Sequence, residues 1–496
     1  MLPALPAHVP LQATPSMTLN LGQNAAVNAI ASWWRDPNGS QLFRLGGYAG
    51  TGKTSLLIPI LEALNLSPQD PLEIEAILKA ARRGEEVPST FGSGALFCAP
   101  TGRATSVLNK KFKANPSSSF WQAMTIHSAL YIPRTSPTEE DVTQMLLEKE
   151  PEPNRLLLLS PNCPPDFLKQ FSSRVQQHLT KLLDDPKFDL RAINPAQSAD
   201  LIIVDESSMV DDLTKKDLLA IGTRILAIGD PGQLPPIASG NHGLFPSDVQ
   251  PDALLTEIMR QGEGSAIIHF ANAIREGASI PTTNSIDGSV EILPHTAIRN
   301  FPLLAPDTSD LFSSIIICGK NDSRHTLNQG IRHHLGIPSN SLLPWTGEPI
   351  ITLKNQYKNK ELILTNGQIW RCGPSSAHFG LYGEHTIRLQ ITDPEDSTIS
   401  HEVDVLGKTF KESSLGGRIK LNYPNTSQIG GQRPDRFMQA DFAYVITCHK
   451  SQGSEWPAVT VIDESSVFRA HARRWLYTAL TRAQTHLRLI RSGRFS

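Results

Sequence analysis

Little in the chain supports redox or metal-cluster chemistry. Its 496 residues hold five cysteines (Cys98, Cys163, Cys318, Cys372 and Cys448), widely scattered and with no CxxC pair. That spacing excludes a disulfide framework and offers no ligand set for a zinc or iron–sulfur centre. Reduced thiols in a cytosol, and hence a cytoplasmic protein, are expected. An excess of one charge is also missing: 46 Lys and Arg stand against 48 Asp and Glu, a formal charge of −2. A uniformly basic surface is therefore excluded, and any polyanion must be held by a local groove. No apolar run reaches the length of a membrane span, and residues 1–16, MLPALPAHVPLQATPS, are proline-rich and uncharged, unlike a signal peptide. They read as a loose tail.

What is present is a soluble, globular composition, 39% hydrophobic and 19% charged, in a chain long enough for two to four domains. The stretch GGYAGTGKTS at 46–55 follows an apolar run at 42–45 and precedes a helical pattern at 56–64. Strand, glycine loop and helix in that order fit the phosphate-loop spacing G-x-x-x-x-G-K-[ST]. The glycines Gly47, Gly50 and Gly52 let backbone N–H groups of the loop through Thr51 curl around phosphate oxygens. Ser55 opens a helix whose N-terminus adds partial positive charge. Lys53 can reach the β and γ phosphates and the Thr54 hydroxyl can ligate Mg²⁺. Taken alone, a chance glycine-rich turn is the competing reading.

A second apolar run, LIIV at 201–204, delivers Asp205 and Glu206 at its end. Asp205 suits holding magnesium directly or through a bound water, and Glu206 suits orienting and deprotonating an attacking water. A third run at 225–228 ends in GDPGQLPP, where Gln233 could sense a γ-phosphate. Upstream, Gln23 could read an adenine edge through its amide, although a glutamine near a helix start is usually just solvated. After residue 131 prolines and acids interrupt the pattern. One amphipathic helix is expected at 166–183, with Leu168, Phe171 and Val175 among the residues on its apolar face. From 315 a second α/β unit begins, and between about 345 and 435 the period switches to two, with Thr365-Asn366-Gly367 as a hairpin turn. Short strands at that spacing suggest a small antiparallel β-barrel inserted into the second unit.

In order along the chain, LNLGQ, GYAGTGKT, CAPTGRA, TIHS, IIVDESSM, GDPGQLPP, LTEIMRQ, TCHKSQGSEW and LYTALTRA resemble the motifs of superfamily 1 helicases, in the RecD-like and phage Dda-like branch. The resemblance implies an α/β fold of two tandem RecA-like P-loop domains with inserted subdomains. The tail would be 1–16 and the first domain 17–258, with an insert at about 131–198. The second domain would be 259–344 plus 437–496, and the barrel 345–436. It implies ATP and Mg²⁺ in the cleft between the domains, with Gln23 at adenine, Lys53 and Thr54 at phosphate and metal, Asp205 at metal and Glu206 at water. Gln233 would couple the γ-phosphate to the DNA site, Arg260 and Arg482 would be arginine fingers, and Glu455 would lie near the ribose. Pro100, Thr101, His127, Thr447, His449 and Lys450 match positions that line single-stranded DNA in the family.

The function implied is ATP-dependent strand separation by a motor moving 5′→3′ on single-stranded DNA, acting at junctions of single and double strands. Two alternatives share the motifs: an RNA-directed helicase, and an ATPase acting as translocase or switch subunit of a recombination or repair assembly. A single-strand-binding protein or a replication or repair complex would be the natural protein partner, and no membrane is implied.

Overall fold

Runs such as LIIV at 201–204 and SIIIC at 314–318 have no polar alternation, so as strands they need cover on both faces. A parallel sheet flanked by helices supplies that cover. The computed structural model describes residues 19–492 apart from 84, 86–91, 134–138, 161–162, 185–187, 237–242, 247–248, 260–264, 305–309, 339–340, 342, 359–360, 380–384, 407–409 and 411–437. The tail at 1–16 and Arg260 thus lie outside the described residues. The described residues form two compact units, one drawn from 1–130, 192–335 and 444–496, the other from 131–191 and 336–443.

The first unit contains two parallel sheets. After the helix Leu21–Arg35 come β1 (Leu42–Gly47), β2 (Ala95–Ala99) and β3 (Ala123–Thr125). The chain then leaves through β4 (Tyr131–Pro133) and β5 (Phe188–Leu190), which belong to the second unit. It returns for β6 (Leu201–Val204), β7 (Arg224–Gly229) and β8 (Ala253–Leu255), completing a six-stranded sheet of order β3-β2-β6-β7-β1-β8. Its register sets Gly46 beside Gly229, and Val204 beside both Cys98 and Ala227. The turns after β1, β2, β6 and β7 therefore leave one edge of the sheet, where open α/β sheets bind ligands.

The second sheet starts with β9 (Val290–Leu293) and β10 (Ser314–Cys318). The chain makes an excursion through β11 (Pro349–Thr352), β12 (Gln356–Lys358), β13 (Glu361–Leu364), β14 (Ile369–Phe379), β15 (His385–Thr392), β16 (Ser400–Leu406) and β17 (Ala440–Phe442). Then β18 (Val445–Thr447), β19 (Trp456–Ile462) and β20 (Ala483–Ile490) close a parallel sheet of order β18-β10-β19-β20-β9.

In the second unit, β4 and β5 pair antiparallel at the two ends of a helical segment formed by Glu139–Lys149, Glu152–Leu158 and Pro165–Asp184. Val142, Phe171 and Val175 make its small core, whereas Leu168 is 46% exposed, so the apolar face expected for the long helix is only partly covered. The excursion is antiparallel, of order β16-β15-β14-β11-β17. A single bridge, Val405 to Met438, joins its two ends, with Met438 N–H donating to Asp404 O at 2.8 Å. Among the described residues, that bridge is the contact between β16 and the segment leading into β17. The Thr365-Asn366-Gly367 turn, expected to join a hairpin, instead connects β13 to β14, which do not pair with each other; β13 pairs with β12. Gly367 does adopt the left-handed φ of 87° such a turn requires.

The first sheet is braced from one end by Arg224. Its guanidinium donates to Trp33 O at 2.9 Å and Trp34 O at 2.5 Å, and to Asp36 O, while lying 5.6 and 5.5 Å from the two indole centroids. Trp33 O and Trp34 O lie in the last turn, whose carbonyls lack intrahelical donors, while Asp36 O also accepts from Gly39 N–H at 3.1 Å; a cation there also meets the negative end of the helix dipole. Further along, Trp121 stacks on Phe97 at 5.2 Å and is only 6% exposed, a core aromatic. Burial pushes the Cys98 and Cys448 thiols up to about 12, as inert buried cysteines should be. Among the described residues no helix is long and apolar enough to cross a membrane.

Arg224→Ala removes the side-chain donor from Trp33 O and Trp34 O and should destabilise the first sheet by about 1–3 kcal/mol. The first thermal transition should shift down, and Arg224→Lys should recover less than half because an ammonium cannot fork to all three oxygens. An unshifted first transition in Arg224→Ala would remove the brace.

Candidate functional site

The loop after β1 turns on two left-handed glycines, Gly50 and Gly52, both at φ 79°. A side chain at Gly47 would come within 2.7 Å of Lys53 Cγ and 2.8 Å of Thr51 Oγ1, so the loop closes on itself only without one. The Thr51 hydroxyl donates to Tyr48 O at 2.8 Å, and Lys53 Nζ donates to Gly47 O at 2.6 Å and Tyr48 O at 3.1 Å. The helix follows as one 3-10 turn, Thr54–Leu56, and then Leu57–Leu64, with Thr54 half-buried and Ser55 exposed. Gln23 is buried, and both ends of its amide are engaged. Its oxygen accepts from Asn20 N–H at 3.2 Å in a capping box, and its nitrogen donates to Thr51 O at 3.3 Å. It braces the loop from the first helix.

At the end of β6 the chain delivers Asp205 and Glu206. Glu206 sits at φ 51°, a left-handed conformation that costs a non-glycine residue on the order of 1 kcal/mol or more. The Asp205 carboxylate accepts the Glu206 N–H at 2.9 Å, and Ser207 Oγ ties the turn to Ile228 O at 2.7 Å. Burial, and then the Asp205 charge, hold the Glu206 carboxyl above its ordinary value, while Arg482, Lys53 and Lys111 pull it the other way. A carboxylate so placed is a stronger base once ionised, with cations already facing it. After β7, Asp230 is buried and accepts from Gly232 N–H at 2.8 Å, and Gln233 Nε2 lies 3.5 Å from it. The Gln233 Oε1 and Ser208 Oγ atoms are buried without a hydrogen-bond partner. Loop amides, one ammonium, a hydroxyl and a carboxylate pair, with orphaned polar atoms on the same strand ends, form a donor set that fits a magnesium nucleotide.

The second sheet reaches this cluster through the helix Ala472–Leu480 and the turn after β18. Arg482 is 4% exposed. It donates to Thr478 O at 2.9 Å, Ser454 O at 3.2 Å and Thr481 Oγ1 at 3.1 Å, which fixes its plane next to the strand ends of the first sheet. Tyr477 OH donates to Asp230 Oδ2 and accepts from Ala49 N–H, both at 2.8 Å. Leu234 N–H donates to Thr478 Oγ1 at 2.9 Å and Gln452 Nε2 donates to Leu234 O at 3.0 Å. Arg275 stacks its guanidinium 3.3 Å from the Tyr48 ring centroid. None of Tyr477, Thr478, Asp230, Gln452 or Arg275 stood out in the sequence. The first four lie inside motif stretches, but only their partners across the two sheets give them a role.

The remaining sequence candidates are placed as follows. Pro100 and Thr101 follow β2, where the Thr101 side chain caps the helix Gly102–Ala114 by accepting from Ala104 N–H at 3.2 Å. His127 lies on the helix Ile126–Leu130 after β3; burial lowers its pKa, and Asp211 partly offsets this. Thr447 ends β18, and His449 and Lys450 lie on the helix Cys448–Ser451. Burial lowers His449, and burial with the nearby Arg324 brings Lys450 down to about 8. Glu455 is exposed, and Gln484 Nε2 donates to it at 3.3 Å. Beside the position of Arg260, Met259 N–H donates to Gly50 O at 2.8 Å.

Two family models match the chain: an AAA domain over residues 18–288, more than half of its length, and a UvrD-like helicase C-terminal domain over 442–490. An ATP-dependent RecD2 DNA helicase from Deinococcus radiodurans is 24% identical over 298 residues, 58% of this chain and 35% of that protein. The chain thus spans about a third of that relative's length. Among solved structures, the Pif1 helicase from Candida albicans aligns with a TM-score of 0.45 at 15% identity, covering 96% of this chain and 95% of that one. A Bacteroides Pif1 bound to ssDNA aligns with a TM-score of 0.40 at 16% identity, covering 96% and 92%. The chain belongs to the AAA-domain family; its residues 442–490 match a UvrD-like helicase C-terminal domain, and its motif order is similar to that of RecD-like superfamily 1 helicases.

Proposed function

We propose that the protein is an ATP-dependent DNA helicase that moves 5′→3′ on single-stranded DNA and separates duplex strands at junctions. The observation that carries the ATPase half is the convergence, within one compact unit, of the phosphate loop, the Asp205–Glu206 pair and Arg482 from the second sheet. In this reading the first RecA-like domain holds the nucleotide and the second closes on it. Loop amides and Lys53 bind and orient the phosphates. Thr54 and Asp205 hold Mg²⁺, which when bound would offset charge on the phosphate oxygens. Glu206 takes the proton of the attacking water, and Arg482, joined by Arg260, meets the charge that builds on the transferring group. Gln23 and Glu455 would frame the base and ribose, with Gln23 giving up its bond to Thr51 O to do so.

The DNA half rests on the family likeness and on position. Pro100, Thr101 and His127 follow strands of the first sheet, and Thr447, His449 and Lys450 follow β18 of the second. Backbone phosphates could be passed between these two groups as the domains close and open. The polarity comes from the family resemblance alone.

Strand displacement on duplexes carrying either a 5′ or a 3′ tail, with ATP and Mg²⁺, tests the reading. Unwinding of the 5′-tailed duplex alone is expected. Unwinding from the 3′ tail would refute the polarity, and displacement of RNA but not DNA would favour an RNA-directed enzyme. Glu206→Gln should lower kcat for ATP hydrolysis by about 10²–10⁴, with nucleotide affinity little changed; a kcat near wild type would unseat Glu206 as the base.

A further inference from the structure

We propose that Tyr477 is a positioning residue that couples the phosphate loop to the turn carrying Gln233, through a hydroxyl shared between the Ala49 amide and the Asp230 carboxylate. The proposal rests on the ATPase reading above and names a residue that reading does not use.

Tyr477 is fully buried, yet its polar atom has two partners from a different sheet, each at 2.8 Å. Burial and the neighbouring Asp230 raise the phenol well above its ordinary pKa, so the hydroxyl keeps its proton and donates to Asp230. Its lone pair then accepts from Ala49. That amide belongs to the phosphate loop, whose N–H groups are the ones that take phosphate oxygens. One N–H cannot serve a phosphate oxygen and the tyrosine oxygen together in linear geometry. Phosphate arriving at this end of the loop would therefore leave Tyr477 with Asp230 alone.

The adjoining contacts carry such a change outward. Asp230 also accepts from Gly232 N–H, so it sets the shape of the turn that bears Gln233. One residue on, Leu234 is held on both backbone groups, by Thr478 from the same helix as Tyr477 and by Gln452 from the turn after β18. That turn bears His449 and Lys450. The seam is tight: a methyl at Gly232 would meet Arg275 Cδ at 2.9 Å and Tyr477 Cε1 at 3.0 Å. Arg275 in turn lies over Tyr48 of the phosphate loop. A shift of the Tyr477 ring toward Gly232 would therefore press on the turn.

The test uses the full-length protein and reads a quantity that a purely structural tyrosine would not move. The affinity for a fluorescent oligo-dT is measured with ADP and with a slowly hydrolysed ATP analogue, beside steady-state ATPase with and without oligo-dT. Tyr477→Phe removes the hydroxyl and keeps the ring. It should reduce the ratio of the two affinities by about fivefold or more toward one, within the usual range of allosteric coupling. DNA-stimulated kcat should fall about tenfold, with KM for ATP within about twofold, the pattern of a lost transition-state contact. Gly232→Ala keeps the hydroxyl but displaces the ring, and should reduce the ratio in the same way. A wild-type ratio in both variants overturns the coupling, whatever happens to their melting temperatures. A wild-type protein that hydrolyses no ATP overturns the ATPase reading and the coupling with it.

Discussion

Backbone amides that no secondary structure can use are the constraint on which the site depends. Between a strand that ends at Gly47 and a helix that starts at Thr54, the Tyr48 N–H donates to Leu255 O and the Thr51 N–H to Tyr48 O, each at 3.3 Å, whereas the Ala49 amide turns to a side chain instead. The turn that gathers them needs left-handed backbone at Gly50 and Gly52. Each nearby group is arranged to hold this loop without filling it. Gln23 braces Thr51 from one side, Met259 reaches the Gly50 carbonyl from another, and Tyr477 touches the Ala49 amide from the second sheet. The surrounding parallel strands matter because they bring the acid pair and the Gln233 turn to the same edge.

Electrostatics then divides the labour between two neighbouring carboxylates. Asp205 follows its strand directly and accepts the next backbone amide, whereas Glu206 has a left-handed φ and is half-buried, with its charge opposed by nearby cations. The cations that oppose this penalty come from different elements: Lys53 from the loop, Lys111 from the helix after β2, Arg482 from the second sheet. A base whose strength depends on a cation from another sheet is sensitive to whether that sheet is in place. The three bonds from the Arg482 guanidinium to Thr478 O, Ser454 O and Thr481 Oγ1 restrict how that cation can turn.

The legible parts of the site were those where chemistry and spacing coincide over a few residues: the glycine loop with Lys53 and Thr54, and the acids at the end of an apolar strand. The less legible parts depend on partners far apart in sequence. Leu168 was expected on the buried face of a long helix, because periodicity gives a direction but not a neighbour; nearly half of it is exposed. Thr365-Asn366-Gly367 has turn chemistry, and Gly367 takes the expected conformation. Which strands the turn joins is decided by sheet pairing, and β13 pairs elsewhere. Trp121 shows the opposite case, an aromatic near a motif that proves to be core.

By itself the sequence determined that this is an α/β protein with a phosphate loop, acids at a strand end and a second parallel unit, because strand runs and loop glycines are local properties of the chain. It also determined, through Gly50 and Gly52, where the chain must take left-handed backbone in that loop. Only the tertiary structure decided what Gln23, Asp230, Gln452 and Tyr477 do. A glutamine amide or a phenol has no direction until burial removes water as a partner and leaves one or two protein groups within reach. Tyr477 and Ala49 are 428 residues apart, and no spacing rule links them. Their bond exists because the packing of two sheets brings a buried hydroxyl to an amide that the phosphate loop leaves open.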